Sequence, residues 1–445
     1  MNNGVGRYLP RSNDTADRKG VILSALEVAL PLATLVAVIV AMFADPIAKL
    51  VLRAPETTPV LRAAAIGIPF AVLLKLSIGV IQGMEQTVPK VLIRNVLQPV
   101  IRFGLIAVVL AVGLGSLGIV WVYTITFIVA GLAGLYYIVT QTPAMEQVAG
   151  VRIRRELLTF SAPLMLMTTM AMILSNLDIF FISYFQSAGE VGTYNVVYPL
   201  SELLTMTLSG FSFIFMPTFS RLHSNNHYIE MCRIYQVVTK WIFFLTLPGF
   251  FLFFLFPDIS IGVTFGWQYS EGAATLAVLS VGFFVKSVAG PNVNALTAIG
   301  ETKVIMINNL IAAGVNVLLN YLLIPEYSYM GAAVATSISY TLLNVLYSFA
   351  LYRQTGIHPF TEHLIKPAGG AVALIIVFFT VFSVALPRSV KATFGAFIMF
   401  IVLYSVVILR LGSIQEEEVT LLLSIEERFG VDLTPAKRLA GRIMG

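Results

Sequence analysis

Apolar runs of bilayer length follow one another along this chain almost without interruption, and that excludes any soluble architecture. About 20 apolar residues carry a helix across a ~30 Å hydrocarbon core. In lipid the backbone must satisfy its own hydrogen bonds, so runs of this length form helices. The sequence predicts twelve spanning helices near 21–43, 62–82, 91–113, 117–140, 159–184, 193–217, 237–257, 272–298, 304–324, 330–352, 366–386 and 391–410. The expected fold is an all-α polytopic membrane protein. Composition decides two further points. Only 11% of the residues are charged and 58% are hydrophobic, against about 25% charged in soluble domains. The net charge of +5 lies mostly in alternate loops, which reads as membrane topology and argues against a nucleic-acid partner. A single cysteine, Cys232, excludes an internal disulfide and offers no thiolate metal set. The polar first twenty residues, and a first apolar run that is long and lacks a small-residue cleavage site, do not make a cleaved signal peptide.

With the N-terminus in the cytoplasm, Arg7, Arg11, Arg18, Lys19, Lys90, Arg94, Arg152, Arg154, Arg155, Arg221, Arg233, Lys303, Arg353 and Lys366 fall on one side. The other side collects Lys49, Arg53, Arg62, Arg388 and Lys391, so the positive-inside rule puts both termini in the cytoplasm. An internal repeat is also visible. Ala44-Asp45-Pro46 parallels Phe256-Pro257-Asp258, Gly83-Met84-Glu85-Gln86-Thr87 parallels Ile299-Gly300-Glu301-Thr302, Arg94-Asn95 parallels Asn308-Asn309, Leu9-Pro10-Arg11 parallels Met216-Pro217-Thr218, and Gly118 parallels Gly331. A unit thus recurs at roughly 210 residues, in the same direction through the membrane, as in transporters built of two parallel halves. The predicted organisation is a first lobe over 1–140 with four helices, a cytoplasmic linker over 141–158 and a six-helix second lobe over 159–353. Two additional helices over 354–410 and a cytoplasmic amphipathic tail over 411–445 complete it. In the tail Leu422, Ile425 and Phe429 share a face, and Thr434-Pro435 opens a helix with Lys437, Arg438 and Arg442 outward, suited to the inner leaflet or to a docking partner.

Charge inside spanning segments costs on the order of 3 kcal/mol and calls for a partner or a watery cavity. The stretch 160–202 holds Asp178 late in one apolar run. The next run carries Asn195, Tyr198, Glu202 and Thr205 at spacings that put them on one face. Lys75, Arg102 and Lys286 are cations in apolar runs, and Arg94, Gln98 and Arg102 form one polar stripe. Such a set suits a cavity that holds an anion, with Arg binding phosphate bidentately and Lys as a point charge. The alternatives are snorkelling for Lys75 and a structural pair, for instance with Glu202, for Arg102 or Lys286. Glu27 reads as solvated at the inner interface. Asn309, Asn316 and Asn320 fall on one helix face, and Thr336, Tyr340 and Asn344 on another. These are hard oxygen ligands of the kind a small hard cation prefers, or else polar groups that hold helices together.

The Asp late in one helix, followed by G-x-x-G-T-Y-N over Gly189 to Asn195 and a Tyr-Pro at Tyr198-Pro199, resembles the polysaccharide and lipid-linked oligosaccharide flippases of the multidrug/oligosaccharidyl-lipid/polysaccharide (MOP) transporter superfamily. The resemblance covers essentially the whole chain. It implies two pseudo-symmetric lobes, no catalytic residues, and fourteen helices in all. On that pattern the sequence would begin after the second helix, through a mis-called start or a truncation, the alternative being a native twelve-helix protein. It further implies a sodium site like that of the lipid II flippase branch, formed by Asp178, Asn316, Asn320, the Ala332 carbonyl and Thr336. That branch has a second carboxylate where Asn320 stands, so the site here would carry one less negative charge.

The expected function is a flippase that moves a polyprenyl-phosphate- or diphosphate-linked saccharide across the cytoplasmic membrane by alternating access. Substrate contacts would come from Arg102, Lys286, Lys75, Arg94, Gln98 and Glu202, sodium would be the coupling ion, and no other cofactor is expected. Membrane lipids and glycan-assembly enzymes are the expected company of a monomer. The rival readings are a multidrug or cation antiporter of the same fold, and a membrane saccharide polymerase or ligase. The first would favour an acidic cavity. The second calls for a large outer loop or an acidic catalytic motif, and neither is present.

Overall fold

The computed structural model describes residues 5, 8, 9, 14–51, 54–84, 86–146, 148, 150–359, 361–385 and 390–411. The amphipathic tail expected beyond 411, together with Arg7, Arg11, Arg53, Glu85 and Arg388, lies outside the described residues. Among the described residues there is no strand, and each of the twelve predicted apolar runs is helical. The chain divides into two compact units, Met1–Ser175 and Asn176–Gly445.

The first unit is built from α1 (Thr15–Met42), α2 (Thr58–Gly83), α3 (Gln98–Val112), α4 (Gly115–Gln141) and α5 (Arg154–Ser175). Asp14 caps α1 by accepting from the Thr15 N–H at 2.7 Å, and Asp17 in the first turn adds charge where the helix dipole favours it. A wide-wound stretch, Val91–Leu97, leads into α3. Glu27 on α1 is not simply solvated. Arg152 pairs with its Oε1 at 2.9 Å and Arg154 with its Oε2 at 2.5 Å, tying the start of α5 to α1.

The second unit comprises α6 (Leu177–Phe185), α7 (Ala188–Glu202), α8 (Met206–Ser224), α9 (Tyr228–Leu255), α10 (Ala273–Val288), α11 (Asn292–Ala298), α12 (Thr302–Thr355), α13 (Glu362–Ala385) and α14 (Val390–Leu411). Its core is strongly aromatic. Phe251 of α9 stacks on Phe400 of α14 with ring centroids 4.6 Å apart, and the Tyr404 hydroxyl donates to the Phe244 carbonyl at 2.8 Å.

Seven helical stretches among the described residues are long and apolar enough to cross a membrane. One of them, α12, has 54 residues. At 1.5 Å per residue it would be about 80 Å long, more than twice the hydrocarbon thickness. Ser328 breaks it at φ 50° and ψ −137°, a region that L-residues avoid, and leaves two arms, 302–327 and 329–355. Three predicted single spans are also interrupted: 159–184 at Asn176, 193–217 at the 3₁₀ turn Leu203–Thr205, and 272–298 between α10 and α11. In the last of these Gly290 has φ 78°, and a Cβ there would lie 2.2 Å from the Thr239 Oγ1, so only glycine fits.

The repeat is visible as one helix crossing built twice. In the first unit Thr124 of α4 donates to the Ala63 carbonyl of α2 at 3.0 Å, with Gly67 beside it. In the second, Ser337 of α12 donates to the Val278 carbonyl of α10 at 2.9 Å, with Gly282 so close that its Cβ would meet Ser337 at 2.6 Å. All these positions recur at roughly 210 residues. Small residues at the crossing let the backbones approach, and the hydroxyl satisfies itself across the interface where water cannot.

Candidate functional site

Short interruptions bring polar side chains of the second unit to one place. Asn176 starts α6 and puts Asp178 in its first turn. Asp178 Oδ2 accepts from the Thr336 hydroxyl at 2.5 Å and from the Tyr194 hydroxyl at 2.6 Å. Its Oδ1 accepts from Asn320 Nδ2 at 2.7 Å, and that amide also donates to Asn316 Oδ1 at 3.1 Å. Four of the five residues predicted for a sodium site therefore converge. The fifth, Ala332, is fully buried one turn before Thr336.

Asn320 is completely buried, and its Oδ1 has no hydrogen-bond partner. An orphaned buried carbonyl oxygen is costly. Here it belongs to an amide that touches a carboxylate and a second amide oxygen. Turned over, it would join Asp178, Asn316 and Thr336 as a set of hard oxygens, so these residues fit a small hard cation such as sodium. Among the described residues no three His, Cys, Asp or Glu side chains cluster as for a transition metal.

Further side-chain contacts frame this cluster. Ser328, at the break of α12, donates to Glu190 Oε1 at 2.6 Å, and Glu190 Oε2 accepts from the Ser187 N–H at 2.8 Å. Gln186 Nε2 donates to the Ile324 carbonyl at 2.7 Å, supplying a partner to a carbonyl at the end of the first arm.

Lys286 of α10 sits half-buried with its Nζ 4.5 Å from the Tyr340 ring centroid and 5.4 Å from that of Phe283. It forms no ion pair among the described residues. Glu202, exposed on α7, acts on it electrostatically without pairing within 4 Å. The Tyr340 hydroxyl shares a 3.0 Å hydrogen bond with Tyr198. A cation whose near neighbours are aromatic faces keeps its N–H donors for an anion.

In the first unit the Arg102 guanidinium lies 4.6 Å over the Tyr123 ring, and its buried Nε has no hydrogen-bond partner. Tyr123 also lines an apolar cavity of about 270 Å³ between α2 and α4, with Gly67, Ala71, Thr124 and Phe127. Carried across the repeat, Tyr123 corresponds to Thr336 in the register that pairs Thr124 with Ser337, and Arg102 to Asn316 in the register that pairs Arg94 with Asn308. The first unit thus has a fixed cation where the second has the oxygen-bearing side chains that fit one. Gln98 is half-buried, whereas Arg94 and Lys75 are exposed.

Several participants escaped the sequence reading. Tyr194 is fully buried on Asp178, one position off the polar stripe of Asn195, Tyr198 and Glu202. Its only sequence signal is its place in G-T-Y-N. Lys240 is a further intramembrane cation, 3% exposed, beside the Trp241 ring.

The family described as polysaccharide biosynthesis protein matches residues 1–274. The chain is 25% identical over 178 residues to "Probable low-salt glycan biosynthesis flippase Agl15" of Haloferax volcanii, an alignment that takes in 39% of this chain and 37% of that one. It is 27% identical over 217 residues to "Probable flippase AglR" of the same organism, covering 46% of this chain and 44% of that one. The chain therefore spans less than half the length of these curated relatives. The structure of the lipid II flippase MurJ in an inward closed conformation matches with a TM-score of 0.70 at 14% identity, over 94% of this chain and 90% of that one. An inward-facing multidrug resistance transporter of the MATE family matches with a TM-score of 0.65, also at 14% identity, over 80% and 86%. At such identity the likeness is one of fold, and the match over 1–274 supplies the family. On the ground of that match, this multi-pass membrane protein belongs to the polysaccharide biosynthesis protein family.

Proposed function

We propose that the protein is a flippase for a polyprenyl-phosphate- or diphosphate-linked saccharide, working by alternating access across the cytoplasmic membrane. The observation that carries this reading is Lys286, a half-buried cation in a spanning helix, held between the faces of Tyr340 and Phe283 and without an ion-pair partner among the described residues. A positive charge is kept in lipid at a cost of about 3 kcal/mol only where something repays it, and a lipid phosphate is the anion a membrane supplies. Arg102, with an unpartnered buried Nε, is the cation of the first unit that would serve the same anion. Arg94, Gln98, Lys75 and Glu202 complete the proposed substrate set. Asp178, Asn316, Asn320, Ala332 and Thr336 would hold sodium, whose charge, when bound, would neutralise the site's one carboxylate. The distribution of Lys and Arg supports cytoplasmic termini. The names of the relatives support a transporter over a polymerase or ligase.

The test is deletion of the complete gene in its host, followed by mass spectrometry of lipid-linked saccharides and surface glycans. The expected result is a complete lipid-linked saccharide that accumulates while the mature glycan disappears. Unchanged glycans with increased sensitivity to cationic drugs would overturn the proposal in favour of an antiporter.

A further inference from the structure

One face of the second arm of α12 touches both charged centres of the second unit. Thr336 and Tyr340 are one helical turn apart and share that face. Thr336 donates to Asp178 at 2.5 Å, whereas the Tyr340 ring carries Lys286 at 4.5 Å. Helix α7 repeats the arrangement from the other side. Tyr194 donates to the same Asp178 oxygen at 2.6 Å. One turn on, Tyr198 has its ring 5.7 Å from that of Tyr194 and its hydroxyl 3.0 Å from that of Tyr340. The contacts close a ring: Asp178, Tyr194, Tyr198, Tyr340, Thr336 and back to Asp178. Phe283, fully buried, stands edge-on to Tyr198 at 5.3 Å and to Tyr340 at 5.2 Å, so neither tyrosine can shift alone in a close-packed interior.

We propose that the Tyr198–Tyr340 pair is a coupling element that makes the hold of Lys286 on a diphosphate depend on whether Asp178 faces a cation. The inference rests on the reading of both sites given above and adds the residues that join them. Asp178 Oδ2 now accepts two hydroxyl protons, one from α7 and one from α12. To serve a cation, Thr336 must turn a lone pair toward the site and withdraw its proton from Asp178. That releases the second arm of α12 from the carboxylate. Tyr198 still ties this arm to α7 one turn away, so the readjustment is taken up at the Tyr340 ring, on which Lys286 rests. Tyr198 and Tyr340 are positioning residues, since neither contacts Asp178 itself. Coupling of this kind is reciprocal: whatever factor the cation applies to the anion, the anion applies to the cation.

The experiment measures binding of farnesyl diphosphate to the purified full-length protein by calorimetry, in sodium chloride and in choline chloride at equal ionic strength. The readout is the ratio of the two affinities, which a loss confined to the anion site would not move, while a sodium-dependent rise in melting temperature retained by the variants shows that the cation site is intact. The wild type should show a ratio of about fivefold or more. Tyr340→Phe keeps the ring on Lys286 but deletes the hydroxyl, and should bring the ratio close to one. Tyr198→Phe should do the same from the other partner, and the double variant should add nothing, as expected for two halves of one contact. A wild-type ratio retained in full by both single variants would overturn the relay and leave the flippase reading standing. A wild type that binds the diphosphate with no response to sodium would overturn the cation-coupled reading, and the relay with it.

Discussion

Asp178→Asn separates the electrostatics of the proposed cation site from its packing, because the side chains are nearly isosteric. The carboxylate accepts three hydrogen bonds, from Tyr194, Thr336 and Asn320. Hydrogen bonds to a charged group are worth about 1 kcal/mol more than neutral ones, so the amide forgoes about 3 kcal/mol over the three. One of its faces now donates, which forces Asn320 to turn its buried, unpartnered Oδ1 toward position 178. Against this, removing a carboxylate from a spanning segment returns about 3 kcal/mol. The two terms nearly cancel, and folded stability without sodium should hardly change. The response to sodium should not survive, since position 178 supplies the only carboxylate of the set. A ligand at 100 times its Kd stabilises by about 2.7 kcal/mol. The assay is thermal unfolding in detergent, in sodium chloride and in choline chloride at matched ionic strength. The wild type should melt higher in sodium, and Asp178→Asn should melt alike in both, close to the wild type in choline. A variant that keeps the sodium-dependent rise would refute the site. A large loss of stability in choline would refute the cancellation.

Lys286→Gln removes the charge and leaves a polar side chain one atom shorter. Diphosphate affinity should fall tenfold or more, about 1.4 kcal/mol, and an unchanged Kd would remove Lys286 from the substrate set. Arg102→Ala should abolish transport while the protein still inserts, as judged by membrane fractionation beside the glycan analysis. Gly290→Ala places a methyl group 2.2 Å from Thr239 Oγ1 at φ 78°. Backbone strain of about 1–3 kcal/mol and overpacking of similar size should lower the melting temperature sharply, and a neutral outcome would deny the break between α10 and α11. Glu27→Gln frees Arg152 and Arg154, but the acid is 34% exposed. The loss should stay near 1 kcal/mol or below and shrink further in high salt.

How much of this was legible beforehand follows from the range of the forces involved. Each helix could be placed from its own stretch of chain, because the bilayer sets a minimum apolar length and lipid forbids an unpaired backbone. The repeat was visible in recurring residues such as Gly118 and Gly331 or Arg94 and Asn308, but the crossing residues themselves were not among them. Asp178, Asn316, Asn320 and Thr336 could be named because each lies on a polar face of its own helix, and the family resemblance joined the faces. The break at Ser328 falls between the predicted spans 304–324 and 330–352, and Pro291 marks the one beside Gly290, whereas the break at Asn176 was not legible. Hydropathy averages over a window longer than such a break, and what holds the other two lies far off in the chain: Thr239 against Gly290 and Glu190 on Ser328. Tyr194 could not be assigned either, for a tyrosine in an apolar helix reads as packing until a carboxylate is seen 2.6 Å from its hydroxyl. The sequence by itself determined a multi-pass helical fold of two related halves with charges inside the membrane. Only the tertiary structure decided that Lys286 rests on Tyr340 while Thr336, a turn away, reaches Asp178. The residues that meet there are separated by as much as 158 positions in the chain, and such meetings are set by how whole helices pack, which no local pattern encodes.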